Sequence, residues 1–362
     1  MQKYRNQIIA GLGIALIVYI LLVLFVDNSG QFDQNVLSQI QEFPLYLVPL
    51  LILTQIGAGV FRFMEWHYYL GVIGAQDKIS IKDSLIIFVT GFMFAVSPGK
   101  IAEVLKVVLL KIKTDVPIAV SAPIVVAERV VDGLAVIITL LIALIVARDQ
   151  IELGEYRAFI EGVIITSTII LSVGLVAVQI KSLAYFFLGL IQRLPLLRRA
   201  HQPLLDFYES SHNIFQIRHL IPTVLMGMGV YMSSTTGFLI VLSGYGLDIT
   251  WQLFLETTFI VGVVSAIGAL SFLPNGAGIT EVSALAIMNV LIVPSNPSLA
   301  TAVAAVALIQ SFFHKWFRVL VGMGVGIYYR NHLFTSELEQ ELEQIDTKPE
   351  GVKTGVSVDV AG

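Results

Sequence analysis

Apolar runs long enough to cross a bilayer recur along this chain, and they leave it few ways to fold. A hydrocarbon core of about 30 Å takes roughly 20 helical residues, and backbone amides inside it must be bonded within the segment. Helices are therefore expected at Ile8–Val26, Pro44–Phe63, Pro117–Ala147, Phe159–Ile180, Ile221–Gly244 and Leu299–Tyr329. Two further stretches are equally apolar but interrupted: Ser84–Lys113 at Pro98-Gly99, and Trp251–Val293 between Pro274 and Gly278. Proline removes a backbone donor and blocks the preceding turn, so neither reads as one continuous helix. Only 13% of the residues are charged and mean hydropathy is +0.83, whereas soluble domains carry about 25% charge. The fold class is an all-α polytopic membrane protein.

Charge bias sets the threading. The loop from Asp27 to Glu42 is acidic and reads as external, whereas Lys78 and Lys82 read as cytoplasmic. If each interrupted stretch re-enters, or makes two closely packed passes, Lys111 and Lys113 fall inside. Asp149, Glu152, Glu155 and Glu161 then fall outside, and the basic loop with Arg193, Arg198 and Arg199 falls inside. Each half then has three crossings and one broken hairpin, entered from opposite sides, which is an inverted-topology repeat. The expected parts are a first repeat, 1–150, with hairpin 84–113, and a second repeat, 151–332, with hairpin 251–293. An amphipathic cytoplasmic segment, 182–219, is expected to lie on the membrane surface, and the tail 333–362 is polar. The first apolar run lacks a small-x-small cleavage site and reads as an uncleaved helix, with both termini cytoplasmic and the chain in the plasma membrane.

The absence of cysteine excludes disulfides and thiolate metal sites. No nucleotide loop, zinc-protease motif, nucleophile elbow or metal-ligand spacing occurs, so no cofactor, no metal, no nucleic acid and no enzymatic step is expected.

The polar residues inside the apolar runs carry what chemistry there is. Both breaks are followed by Ile-x-Glu-Val, at Ile101-Ala102-Glu103-Val104 and Ile279-Thr280-Glu281-Val282. Glu103 and Glu281 are expected either to cap the helix starts or to stand beside two half-helix N-termini that present amides to an anion. Gly99, Lys100, Asn275, Gly276 and Gly278 would line that site, the glycines permitting close backbone approach. Glu128, Arg129 and Asp132 sit within one long run, where each charge costs about 2.5–3.5 kcal/mol without a partner. They read either as an ion-pair staple or as a cavity wall whose Arg129 meets a phosphate. His314, Lys315 and Arg318 fall in the matching run of the second half and read as cavity-lining, with snorkelling as the alternative. Arg62 reads as an anchor at the cytoplasmic end of its span, and Lys106 either as a charge of the first hairpin or as a side chain reaching the cytoplasmic interface.

Pro98-Gly99-Lys100-Ile101-Ala102-Glu103, Glu128-Arg129-x-x-Asp132 and Pro274-x-Gly276-x-Gly278-x-x-Glu281 resemble the lysylphosphatidylglycerol synthase transmembrane region family, from about Ile8 to Arg330. The resemblance implies a flippase-like domain that moves an anionic or aminoacylated phospholipid, or a polyprenyl-phosphate lipid, between leaflets. Ala102 and Lys106 stand where family members often carry Gly and Arg, and Glu65-Trp66 stands in place of an Arg-Trp pair. No aminoacyltransferase is expected in the polar stretch after Arg330. A homodimer, or association with a lipid synthase or glycosyltransferase, is open, as are an intramembrane enzyme acting on a glycolipid and a small-ion transporter.

Overall fold

The computed structural model describes residues 36–94, 101–146, 157–193, 200–271, 276, 278–329 and 333, with backbone alone at 94, 101–104, 157, 159 and 160. Among these residues every regular element is a helix. The expected first span, the repeat boundary near Asp149 and the tail beyond Leu333 lie outside them, as do Pro98 and Pro274.

In chain order the helices are α1 (Val36–Glu42), α2 (Val48–Val72), α3 (Ile81–Gly91), α4 (Ile101–Thr114), α5 (Ile118–Val146), α6 (Arg157–Gln179) and α7 (Lys181–Arg193). They continue as α8 (His201–Ile214), α9 (Ile217–Gly244), α10 (Trp251–Leu270), α11 (Ile279–Leu291), α12 (Val303–Ser311) and α13 (Phe317–Tyr328). Six helical stretches have the length and apolarity to cross a membrane: Leu45–Val72, Ile118–Val146, Glu161–Gln179, Ile217–Gly244, Trp251–Leu270 and Val303–Tyr328. Five of them match expected spans. The sixth, α10, is the first arm of the second interrupted stretch, which is therefore a crossing-length helix followed by a short one.

Around the second interruption the described residues leave helical order; the residues at Pro98-Gly99 lie outside the described ones. The first hairpin runs from α3 through a 3-10 turn at Phe92–Phe94 and resumes as α4 at Ile101. The second leaves α10 at Leu270 and resumes at Ile279, with Gly276 at φ +62° and Gly278 at φ +86°. Positive φ suits glycine, and a side chain at Gly276 would also press on the Gly268 Cα, 3.2 Å away. The two arms of each hairpin pack against each other.

Packing partners repeat across the two halves. Helices α2 and α9 form the most extensive contact. The long helix of the first half, α5, packs on α10, the first arm of the second hairpin. In turn α13 packs on α3 and its 3-10 turn, the first arm of the first hairpin. The first hairpin arm of each half thus packs on the long helix of the other half.

One glycine governs how closely that exchange is drawn. A Cβ on Gly322 of α13 would lie 2.7 Å from Met93 N and 2.8 Å from Val89 O, both backbone atoms, so α13 reaches α3 only because no side chain intervenes. Arg318 stands one turn earlier on the same helix.

Two apolar cores lie toward opposite ends of shared helices. Helix α2 gives Leu51 to one core and Trp66, Tyr69 and Leu70 to the other; α9 gives Phe238 and Leu242 to one and Leu220 to the other. The intervening turns carry Gln55, Arg62 and Glu65 on α2, and Ser234 on α9. A polar layer therefore lies between two greasy ones, and the cores fix its depth.

One expectation needs correction. The span expected to end at Phe63 runs to Val72, because Arg62 and Glu65 are accommodated inside the bundle rather than at its edge. Within 182–219, α7 is mostly exposed, burying Leu188. Helix α8 docks on α5, with Ile214 fully buried and the Ser210 hydroxyl donating to Val120 O at 2.6 Å.

Gly322→Ala and Gly324→Ala are expected to move stability in opposite directions. The first drives a methyl into backbone and should cost about 1–3 kcal/mol. The second meets open space and should be neutral or gain up to about 1 kcal/mol of helix propensity. Melting temperatures of the two purified proteins in detergent check this.

Candidate functional site

Helix α5 brings Glu128, Arg129 and Asp132 to one level of the polar layer, and every one of them has a partner. Asp132 is held by two guanidinium groups: Arg62 Nη1 from α2 at 3.1 Å, and Arg129 Nη1 at 3.1 Å. Glu128 accepts both of its bonds from Lys106 Nζ of α4, at 2.9 and 2.8 Å. The Lys106 ammonium also sits 4.6 Å from the centre of the Trp66 ring and 5.4 Å from that of Phe88, a desolvated cation against aromatic faces. Arg129 approaches Glu128 as well, at 4.0 Å, and its side chain stays 51% exposed, the most open cation of the group.

The second half builds a counterpart around Glu281. Its Oε2 accepts from Gly278 N–H at 2.8 Å and from the Thr280 hydroxyl at 3.0 Å, so it caps the start of α11. Its Oε1 accepts from Lys315 Nζ at 2.9 Å and from the Ser311 hydroxyl. Lys315 donates also to Thr280. Glu281 thus fills the capping role and is an ion-pair partner besides.

The two halves clamp their hairpins in the same way with the charges exchanged. In the first, a lysine on the second hairpin arm meets a glutamate on the long helix. In the second, a glutamate on the second arm meets a lysine on the long helix. Both pairs are at most 10% exposed. Lys315 falls in a π-helical turn, Phe312–Trp316, between α12 and α13. Such wide turns re-aim side chains and concentrate at functional sites. Here the turn carries His314, whose Nδ1 lies 3.2 Å from Ser234 Oγ of α9, and Lys315 together.

Arg318 joins the halves. Its Nε donates to His314 O at 2.7 Å, and its guanidinium lies 5.9 Å from the Phe92 ring of the first hairpin. It is within Coulombic reach of Arg62, Asp132 and Arg129. Arg62 and Arg129 therefore hold one carboxylate, with Arg318 of α13 within its electrostatic range. Glu65 lies beside them, 1% exposed, in the field of Asp132, Glu128, Arg62 and Arg129, with its Oε1 making no hydrogen bond among the described residues.

Of the residues singled out from sequence, Glu128, Arg129, Asp132 and Arg318 come together, with His314 adjoining. Glu281 and Lys315 form the second pair, and Gly276 and Gly278 shape the turn before it. Glu103 is in the first turn of α4, where the backbone alone is described. Gly99, Lys100 and Asn275 lie outside the described residues. Arg62 is corrected from membrane-edge anchor to ion-pair partner of Asp132. Glu65 and Lys106 were the acid and base that spacing alone did not place here. A usable signal existed, since Arg62 and Glu65 are three apart and share a helix face only if the helix continues.

The family model described as "Lysylphosphatidylglycerol synthase TM region" matches residues 8–322. The chain belongs to this family. All of the clustered charges fall within the matched residues of the lysylphosphatidylglycerol synthase transmembrane region. No curated protein and no solved structure matches the chain. With six crossing-length apolar helices among its described residues, this member of the family is a multi-pass membrane protein.

Lys106→Met removes one partner of a buried pair and is expected to cost about 3–5 kcal/mol. Adding Glu128→Leu should recover most of that loss, because the orphaned carboxylate goes with it. Detergent-solubilised melting of the single and double variants measures the difference.

Proposed function

We propose that this chain is a flippase-like lipid transporter that passes an anionic headgroup through the polar layer while the acyl chains stay in the bilayer. The observation that carries this reading is the pairing of Arg62 and Arg129 with Asp132, with Arg318 within electrostatic reach. Guanidinium forks bind phosphate oxygens in pairs and remain charged when desolvated. An arriving phosphate competes with Asp132 for two of them and finds the third close by. Arg129, half-exposed, is the first cation it meets.

The family supplies a second support, since its name belongs to the membrane region of a phospholipid-modifying enzyme. A glycerophospholipid and a polyprenyl-phosphate lipid share the phosphate this cluster suits. The role is transport rather than catalysis in this reading: Asp132, Glu128 and Glu281 are each held by cations, which suits charge balance better than proton transfer. We place the protein in the cytoplasmic membrane with Lys78 and Lys82 on the cytoplasmic side, following the positive-inside rule.

In proteoliposomes carrying fluorescent phosphatidylglycerol, dithionite accessibility reports translocation. Arg129→Ala and Arg318→Ala should each slow it about tenfold or more, in line with 1.5–3 kcal/mol for a charged hydrogen bond. Gly324→Ala should leave it unchanged. Wild-type rates in both arginine variants would refute the assignment. Competition by unlabelled phosphatidylglycerol or polyprenyl phosphate separates the two lipid classes.

A further inference from the structure

The face of α2 away from the charge cluster borders a groove of about 610 Å³ against α9. One end is apolar, lined by Phe63, Met64 and Met226; the other is polar, lined by His67, Gln76 and His219. Met64 in its floor is 46% exposed, an apolar side chain left open on the face of a membrane-crossing helix, so the groove opens onto lipid rather than water.

Its length matches one leaflet. From Phe63 to Val72 the helix rises about 14 Å, and half of a hydrocarbon core is about 15 Å. The apolar end begins beside Arg62 and Glu65, at the depth of the charge cluster. The polar end coincides with the C-terminus of α2 and the N-terminus of α9, where headgroups lie. Arg218 and Lys78 are exposed next to it, with Asp77 offsetting part of their charge.

The polar end is built rather than incidental. The Tyr68 hydroxyl and His219 Nδ1 are hydrogen-bonded at 2.9 Å, which fixes that ring. Gln76 Nε2 lies 3.2 Å from His67 Nε2, and His67 Nδ1 lies 3.3 Å from Ser84 Oγ. The fully buried Ser84 also accepts from Trp66 Nε1 at 3.2 Å, and the Trp66 ring carries Lys106. Polar contacts thus run from the groove to the Lys106–Glu128 pair.

We propose that this groove binds one membrane phospholipid, an acyl chain lying along Phe63, Met64 and Met226 and the headgroup at His219 and Gln76. A separate lipid seat on the bilayer face goes beyond the proposed transport, since a lipid held there need not be the one translocated. A diacyl lipid is the occupant that fits the one-leaflet length, the greasy floor and the polar upper end together.

The chain contains no cysteine, so single labels can be placed cleanly. Met226→Cys and Leu225→Cys, each carrying bimane, are reconstituted with phosphatidylglycerol bearing a nitroxide on its acyl chain. Quenching at position 226 is expected to saturate at low spin-lipid content and to exceed that at 225 several-fold, while 225 follows bulk lipid linearly. Gly71→Leu, which fills the groove, should abolish the saturable part; Gly59→Leu, on the same helix with nothing within 4 Å of its Cβ, should not. Arg129→Ala should keep saturable quenching even where translocation is lost, so failure of the groove and failure of the transport reading are told apart. Equal, linear quenching at both positions would overturn the proposal. So would loss of lipid quenching at 226 accompanied by label–label self-quenching, which indicates a second copy of the chain in the groove.

Discussion

A charge in hydrocarbon has to be matched by another, and the architecture is arranged around that requirement. Helix α5 carries three charged residues within two turns, which no isolated membrane helix tolerates cheaply. Their partners come from elsewhere: Arg62 from α2 and Lys106 from the second arm of the first hairpin. Each pairing fixes where one helix sits along another. Apolar packing does this poorly in a bilayer, where lipid tails are as apolar as leucine. The ion pairs therefore act as register marks, and the two lysine–glutamate pairs are almost wholly buried while Arg129 stays open.

The same demand is met twice, with opposite polarity. Lys106–Glu128 and Lys315–Glu281 both tie a short hairpin arm to a long helix. An exchanged arrangement keeps each half locally neutral without repeating its sequence. It also means that separation of either hairpin from its long helix exposes one buried cation and one buried anion at once. The cost of that, several kcal/mol when such a pair is broken, sets the scale of any motion between the halves.

Close backbone approach is the second device. Gly322 lets α13 settle onto the first hairpin, which brings Arg318 to the cluster from the other half of the chain. Gly276 and Gly278 let the second hairpin turn tightly enough for Glu281 to reach back to its own helix start. The arginine cluster and the lysine–glutamate clamp are thus consequences of where side chains are missing as much as of where they are present.

The sequence by itself determined the class, most of the helical spans and the break near Gly276 and Gly278. Hydrocarbon admits few backbone solutions, and proline and glycine are legible wherever they stand. It also placed Glu128, Arg129 and Asp132 inside one long apolar run, and left His314, Lys315 and Arg318 either lining a cavity or snorkelling. It did not reveal the partners. Arg62 reads as a membrane-edge residue as long as its helix is assumed to end there; pairing with Asp132, seventy positions away, is what allows the helix to continue. Lys106 reads equally well toward the interface or toward the interior, and only contact with α5 decides. The exchanged polarity of the two clamps and the π turn at Lys315 were likewise out of reach. Burial leaves a local, one-dimensional signature, whereas charge pairing depends on which helices meet, and that is fixed by the whole bundle.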